Sequence, residues 1–110
     1  MARGLSSGDI RMVEFGAPDK VRPALILTRT SVLPFLNAVT VAPITRTIRA
    51  IETELPLGVS EGLKEPSVAL LDAVQTVSKA RVGRLLGSLP APRRAEVRRA
   101  LLFALDLEQE

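Results

Sequence analysis

The stretch Pro23-Ala24-Leu25-Ile26-Leu27-Thr28 decides the fold. It is continuously apolar in its middle and too short for a buried helix, so it predicts a strand covered on both faces. Pro23 suits the first position of such a strand, where a missing N–H costs little. Upstream, Gly8-Asp9 opens Ile10 to Phe15, which roughly alternates apolar and polar and reads as a first strand. Gly16-Ala17-Pro18-Asp19 between them is turn chemistry. Downstream, Ser31 to Asn37 contains Pro34 and reads as a loop or short helical turn, and Ala38 to Ala42 is a third strand with Val39 and Val41 on one face. Glu52 to Leu55 is a short strand ended by Pro56 and Gly58, and the polar stretch Val59 to Glu65 reads as exposed. Ser67 to Leu71 and Val74 to Val77 form two closely spaced strands, or one bent near Asp72. The period then changes: Lys79 to Leu86 reads as one or two helical turns, Pro90 and Pro92 punctuate, and a helix follows from about Arg93. Val97, Leu101 and Leu105 recur on one face of it. Short strands followed by a terminal helix predict a mainly β or α+β fold, a small, strongly bent barrel with the helix packed on it. The 110 residues make a single domain over 1–110.

Composition restricts the chemistry. Aromatic residues are 3% of the chain, three Phe with no Trp or Tyr, so base-stacking platforms of the RNA-recognition or OB type are disfavoured. The absence of Cys and His excludes disulfides, thiol nucleophiles, Ser-His-Asp triads and histidine acid–base chemistry, and disfavours zinc. No metal site and no cofactor are expected, because the carboxylates show no Asp-x-Asp pair and Glu52-x-Glu54 falls on a presumed edge strand. Of 15 basic residues only Lys20, Lys64 and Lys79 are lysine. Arginine suits bidentate contact with phosphate, although a high-GC genome produces the same bias. The charge is segmented: residues 1–50 carry seven basic and three acidic groups, 51–78 one and five, and 79–110 seven and four. A fold that joins the outer segments would present a basic face to a polyanion. The longest apolar run, Ala100 to Leu105, is far shorter than a membrane span needs, which predicts a soluble, cytoplasmic protein.

Four local groups stand out: Gly8-Asp9, Val21-Arg22-Pro23, Ala42-Pro43-Ile44-Thr45, and Asp72-Ala73-Val74-Gln75-Thr76-Val77. Their order and spacing, with the strand patterns between them, resemble the MazF/PemK family of toxin endoribonucleases over about residues 8 to 107. The resemblance implies a small SH3/CcdB-like barrel that forms a homodimer. It further implies cleavage of single-stranded RNA at short sequences without a metal, leaving a cyclic phosphate and a free 5′-hydroxyl, and control by a cognate MazE-like antitoxin. By the same resemblance Arg22 matches the family's catalytic Arg and Thr45 its catalytic Thr. Lys20, Arg46, Thr47, Asp72, Gln75 and Thr76 are the expected RNA-binding residues, with Arg49 beside Thr45 as a further phosphate candidate.

Residue chemistry is compatible with that assignment. Cleavage through the RNA's own 2′-hydroxyl needs no protein nucleophile. It needs in-line geometry and stabilisation of charge on the phosphorane-like transition state. A guanidinium at Arg22 spans two phosphate oxygens, and the Thr45 hydroxyl donates to one or orients the ribose. Because a guanidinium holds its proton near neutral pH, Arg22 is read as clamp and acid, with the base unassigned; an acidic limb in the pH–rate profile would implicate a carboxylate such as Asp72. Each residue also has a plainer role: Thr45 as a strand-end hydroxyl bonded to its own backbone, Arg46 and Arg49 as surface ion pairs with Glu52 or Glu54, and the arginines of 93–99 as a solvated helix face. Two features depart from the family pattern, the short Gly16 to Val21 connection and Ala73 and Gln75 where longer or basic side chains are usual. Both bear on base recognition more than on backbone cleavage. The alternatives are a CcdB-like gyrase poison, against which the acidic, non-aromatic C-terminus argues, and a catalytically inert antitoxin-binding barrel.

Overall fold

In a computed structural model that describes residues 4–17 and 20–108, seven antiparallel strands curl around two apolar clusters. The strands are β1 (Asp9–Gly16), β2 (Lys20–Ile26), β3 (Ala38–Thr45), β4 (Glu54–Leu57), β5 (Ser67–Leu70), β6 (Gln75–Ser78) and β7 (Val82–Ser88), followed by helix α1 (Arg94–Ala104). Their order is β4-β5-β3-β2-β1-β7, with β6 also paired to β3. Of the expected turn Gly16 to Asp19, Pro18 and Asp19 lie outside the described residues.

The apolar centre of β2 behaves as its sequence requires. Ala24, Leu25 and Ile26 are each at most 1% exposed, and they divide between the two cores. Leu25 joins Ile10, Ala42, Ile44, Leu55 and Leu57 under the helix, while Ala24 and Ile26 join Val13, Val39 and Val41 on the other side. A strand serving two cores must be apolar at consecutive positions, and β3 follows the same rule from Val41 to Ile44. Truncating Leu25 would cost about 2–5 kcal/mol by the usual cavity cost of a buried leucine.

Pro23 is the fourth residue of β2, not its first: the strand starts at Lys20, and Pro23 pairs in register with Met12 of β1. Pro56 likewise lies inside β4, exposed on an edge strand that tolerates it. The 59–65 stretch is not uniformly exposed. Glu61 and Leu63 are buried, and the Glu61 carboxylate accepts the Gly58 N–H at 2.6 Å.

Lys79 to Leu86 is not helical beyond one short turn, a 3₁₀ segment Lys79–Arg81 that leads directly into β7. The physical reason is twofold. β7 pairs only with β1, and its register slips twice: Ile10 to Arg11 is one step while Gly87 to Leu85 is two, and Arg11 to Val13 is two while Leu85 to Val82 is three. Each slip places an extra residue on β7, a β-bulge, which removes the period-two signature.

α1 packs with Val97, Ala100 and Leu101 on the first core. Leu105 lies past its end and is 54% exposed. Arg93 is not part of a solvated face. Its guanidinium bonds the Pro56 carbonyl at 2.8 Å, Glu96 at 2.7 and 3.0 Å, and buried Glu61 at 3.2 Å, tying the helix start to β4. Arg94, Arg98 and Arg99 are exposed as expected. Among the described residues no helix is long and apolar enough to cross a membrane.

Candidate active site

Pairing between β2 and β3 runs from Ile26↔Val41 to Ala24↔Pro43 and ends there. Pro23 lies at that end, and it withholds an N–H from further pairing with β3. Beyond it β2 stays paired to β1 through Val13↔Arg22, while β3 pairs on its other edge with β5 through Thr45↔Val68. Continuing the lost register by two places would set Arg22 across from Thr45. The gap between the parted strands is a cleft of about 730 Å³, lined by both of those residues.

Two further walls close it. The bulges of β7 turn Arg84, Leu85 and Leu86 toward the cleft. The other wall is the chain from Gly62 to Glu65 with Ser67. Gly62 sets that wall: its φ is +95°, and a Cβ there would run into the Leu86 carbonyl, so backbone lies against backbone where the two walls meet.

Of the residues expected to form the site, the cleft brings together Arg22, Thr45, Arg46 and Thr47. Lys20, Asp72, Gln75 and Thr76 are not among its lining residues. Lys20 is exposed at the start of β2 with φ +59°. Asp72 lies 3.7 Å from the Arg49 guanidinium, and the Thr76 hydroxyl meets that of Thr40 at 3.2 Å. Gln75 is exposed on β6, opposite Val41. Sequence reading missed Lys64, Glu65 and Arg84. Lys64 and Glu65 fell in a stretch read only as exposed, and Arg84 in one read as helical, although its isolated cation between apolar residues was a usable sign.

The Thr45 hydroxyl oxygen accepts the Thr47 N–H at 3.1 Å. That bond uses a lone pair and orients the group, leaving its proton to donate to a ligand. Arg46 and Glu65 pair at 3.0 Å. Arg49 belongs to the scaffold: its Nε meets Glu54 at 2.7 Å, and the backbone N–H groups of Arg49 and Ala50 donate to the other carboxylate oxygen at 3.0 and 2.9 Å. Burial pushes the Glu54 carboxyl upward and is the largest single influence, but the bonds from the Arg49 side chain and both N–H groups, with the Arg49 charge, outweigh it and hold the group below the usual glutamate range. Among the described residues that line it, the cleft carries Arg22, Arg46, Lys64 and Arg84 with one carboxylate, Glu65, an electrostatic arrangement suited to a polyanion.

Comparison with known proteins agrees with this architecture. Residues 6–105 match the model of the PemK-like, MazF-like toxins of type II toxin–antitoxin systems. The chain is 42% identical over 99 residues to endoribonuclease MazF3 of Mycobacterium tuberculosis, spanning 90% of this chain and 96% of that one. The solved structure of the Mycobacterium tuberculosis toxin MazF-mt6 superposes with a TM-score of 0.86 at 42% identity, covering 92% of this chain and 99% of that one. A mycobacterial endoribonuclease in complex with its cognate antitoxin shares the fold, with a TM-score of 0.84 at 24% identity over 96% of this chain and 99% of that one.

Proposed function

The chain belongs to the family of PemK-like, MazF-like toxins of type II toxin–antitoxin systems, and from that premise we propose that it is an endoribonuclease that cuts single-stranded RNA through the RNA's own 2′-hydroxyl. The observation that carries the reading is that Arg22 and Thr45, distant in sequence, line one cation-rich cleft. In the proposed reaction the 2′-oxygen attacks the adjacent phosphorus and loses its proton. The bond from phosphorus to the 5′-oxygen breaks, and that oxygen takes up a proton. The products are a cyclic phosphate and a free 5′-hydroxyl. Arg22 spans two non-bridging oxygens of the phosphorane-like transition state, and the Thr45 hydroxyl, oriented by the Thr47 N–H, donates to one of them. Arg46 and Thr47 hold neighbouring phosphates from the same rim, and Lys20, Asp72, Gln75 and Thr76 serve any RNA that extends past the cleft. No metal has a role in this scheme. The protein acts in the cytoplasm as a homodimer, restrained by a MazE-like antitoxin.

The test is a long labelled RNA incubated with purified protein in excess EDTA, beside Arg22→Ala and Thr45→Ala. Discrete cuts with cyclic-phosphate ends, abolished in both variants, are the expected result. Intact RNA with a folded protein would overturn the assignment.

A further inference from the structure

Against four cations, Glu65 is the one carboxylate among the described residues that line the cleft. A negative charge there works against binding a polyanion, so its presence calls for a role. Its backbone is held in place: the hydroxyl of Ser67, itself 5% exposed, donates to the Glu65 carbonyl at 3.0 Å, and the wall begins at Gly62, packed against β7. Its side chain is held by little. It is 57% exposed and meets the 71% exposed Arg46 at 3.0 Å. Exposed pairs of this kind are weakly bound, and an incoming phosphate offers Arg46 an equivalent anion. The exchange leaves Glu65, an acceptor-only group on a fixed backbone, facing the bound strand.

We infer that Glu65 determines specificity: its carboxylate accepts a hydrogen bond from the exocyclic amino group of one unpaired base, favouring cytosine, adenine or guanine over uracil at one position of the strand. Where the amino group would stand uracil carries a carbonyl oxygen, and its one donor on that edge, N3–H, lies between two such oxygens, so a carboxylate placed to take the amino hydrogen is repelled by uracil. The inference rests on the reading of the cleft as a site for single-stranded RNA. It assigns Arg46 to the backbone and Glu65 to a base, the usual division between contacts that position and contacts that specify.

The test uses fluorescent heptamers of deoxyuridine, which lack the 2′-hydroxyl and cannot be cut. A single deoxycytidine, or a single deoxyadenosine or deoxyguanosine, is walked through each position. Binding is followed by anisotropy with the full-length protein, Glu65→Ala and Glu65→Gln. The native protein should prefer an amino-bearing base at one position by about tenfold, the discrimination typical of such a contact. Glu65→Ala should lose that preference while binding all-deoxyuridine at least as tightly. Glu65→Gln should retain a reduced preference, since its amide also donates to uracil O4. A native protein with no preference at any position would overturn the inference. So would Glu65→Ala shifting every heptamer by one common factor, the behaviour of a mere tether for Arg46. Cleavage of labelled RNA, run in parallel, separates the two claims. Absent cuts with the heptamer pattern intact support Glu65 while removing the endoribonuclease reading, and cuts with a flat heptamer pattern do the reverse.

Discussion

Arg46 and Arg49 leave β3 on the same loop and each meets a glutamate, yet the two pairs do different work. Glu54 has a side chain only 2% exposed and collects three bonds, one from the Arg49 guanidinium and two from backbone N–H groups. Those bonds hold the turn at Ala50, whose φ is +60°. Arg46 and Glu65 share one contact, and both are more than half exposed. Pair chemistry is the same in the two cases. Burial and the number of partners decide whether an arginine belongs to the scaffold or faces a ligand.

The largest effect expected from this contrast lies on the cleft side. Arg22→Ala and Thr45→Ala should each lower the cleavage rate about 100- to 1,000-fold, the usual loss for one transition-state donor. Thermal melting by circular dichroism should change by no more than a few degrees. A variant that loses activity only in proportion to unfolded protein would place its residue in the scaffold and break the distinction.

Next comes a stability contrast between the two glutamates. Glu54→Gln puts an amide where two backbone N–H groups and a guanidinium all donate, leaving donors without acceptors, and should lower the melting temperature by about 5 °C or more. Glu65→Gln should change it by under about 2 °C, as exposed positions do. Equal shifts would erase the difference between the loops.

The same pair predicts a pH dependence. The folded Glu54 carboxyl titrates below the ordinary glutamate value of 4.5, so between those points the unfolded chain binds more protons than the folded one. Its contribution is fully present above about pH 4.5 and is lost as pH falls through the lower folded value. Native protein should therefore lose melting temperature below about pH 4.5 more steeply than Glu54→Gln does. Parallel curves would mean that Glu54 is not an acid-sensitive tie.

Much of this organisation is legible in the sequence, and the misreadings have physical causes. Consecutive burial at Ala24, Leu25 and Ile26 announces itself because a strand with two cores has no polar face. Arg22 and Thr45 are picked out by the resemblance of four short motifs to one family, and the structure sets both along one cleft. β7 is not legible: two bulges cancel its alternation, and with it went Arg84. Glu61 and Leu63 are buried by a glycine contact between distant backbones, which no local pattern encodes. Whether Arg46 or Arg49 lines the cleft was equally closed to sequence, since both are arginines beside Thr45 and only the tertiary position of Glu54 separates them. The segmental charge carried part of the answer. The acidic middle segment supplies Glu65 to a cleft whose cations come from all three segments.

The smallest predicted effect discriminates best between the two arginines. RNA affinity should fall with salt at a log–log slope of about −0.7 for each phosphate neutralised on a single strand. Arg46→Ala removes one phosphate contact, so it should weaken all RNAs by a similar factor and make the slope shallower by about 0.7. Arg49→Ala should leave the slope unchanged, because its guanidinium is tied to Glu54 and lies outside the cleft lining. The net affinity lost with Arg46 is only a few-fold, since in the intact protein the phosphate must first displace Glu65. The slope counts released ions and is insensitive to that competition, which makes it the better readout. A loss confined to one RNA sequence would mean that Arg46 reads a base. An equal change of slope for Arg49→Ala would mean that the Arg49–Glu54 pair opens when RNA binds.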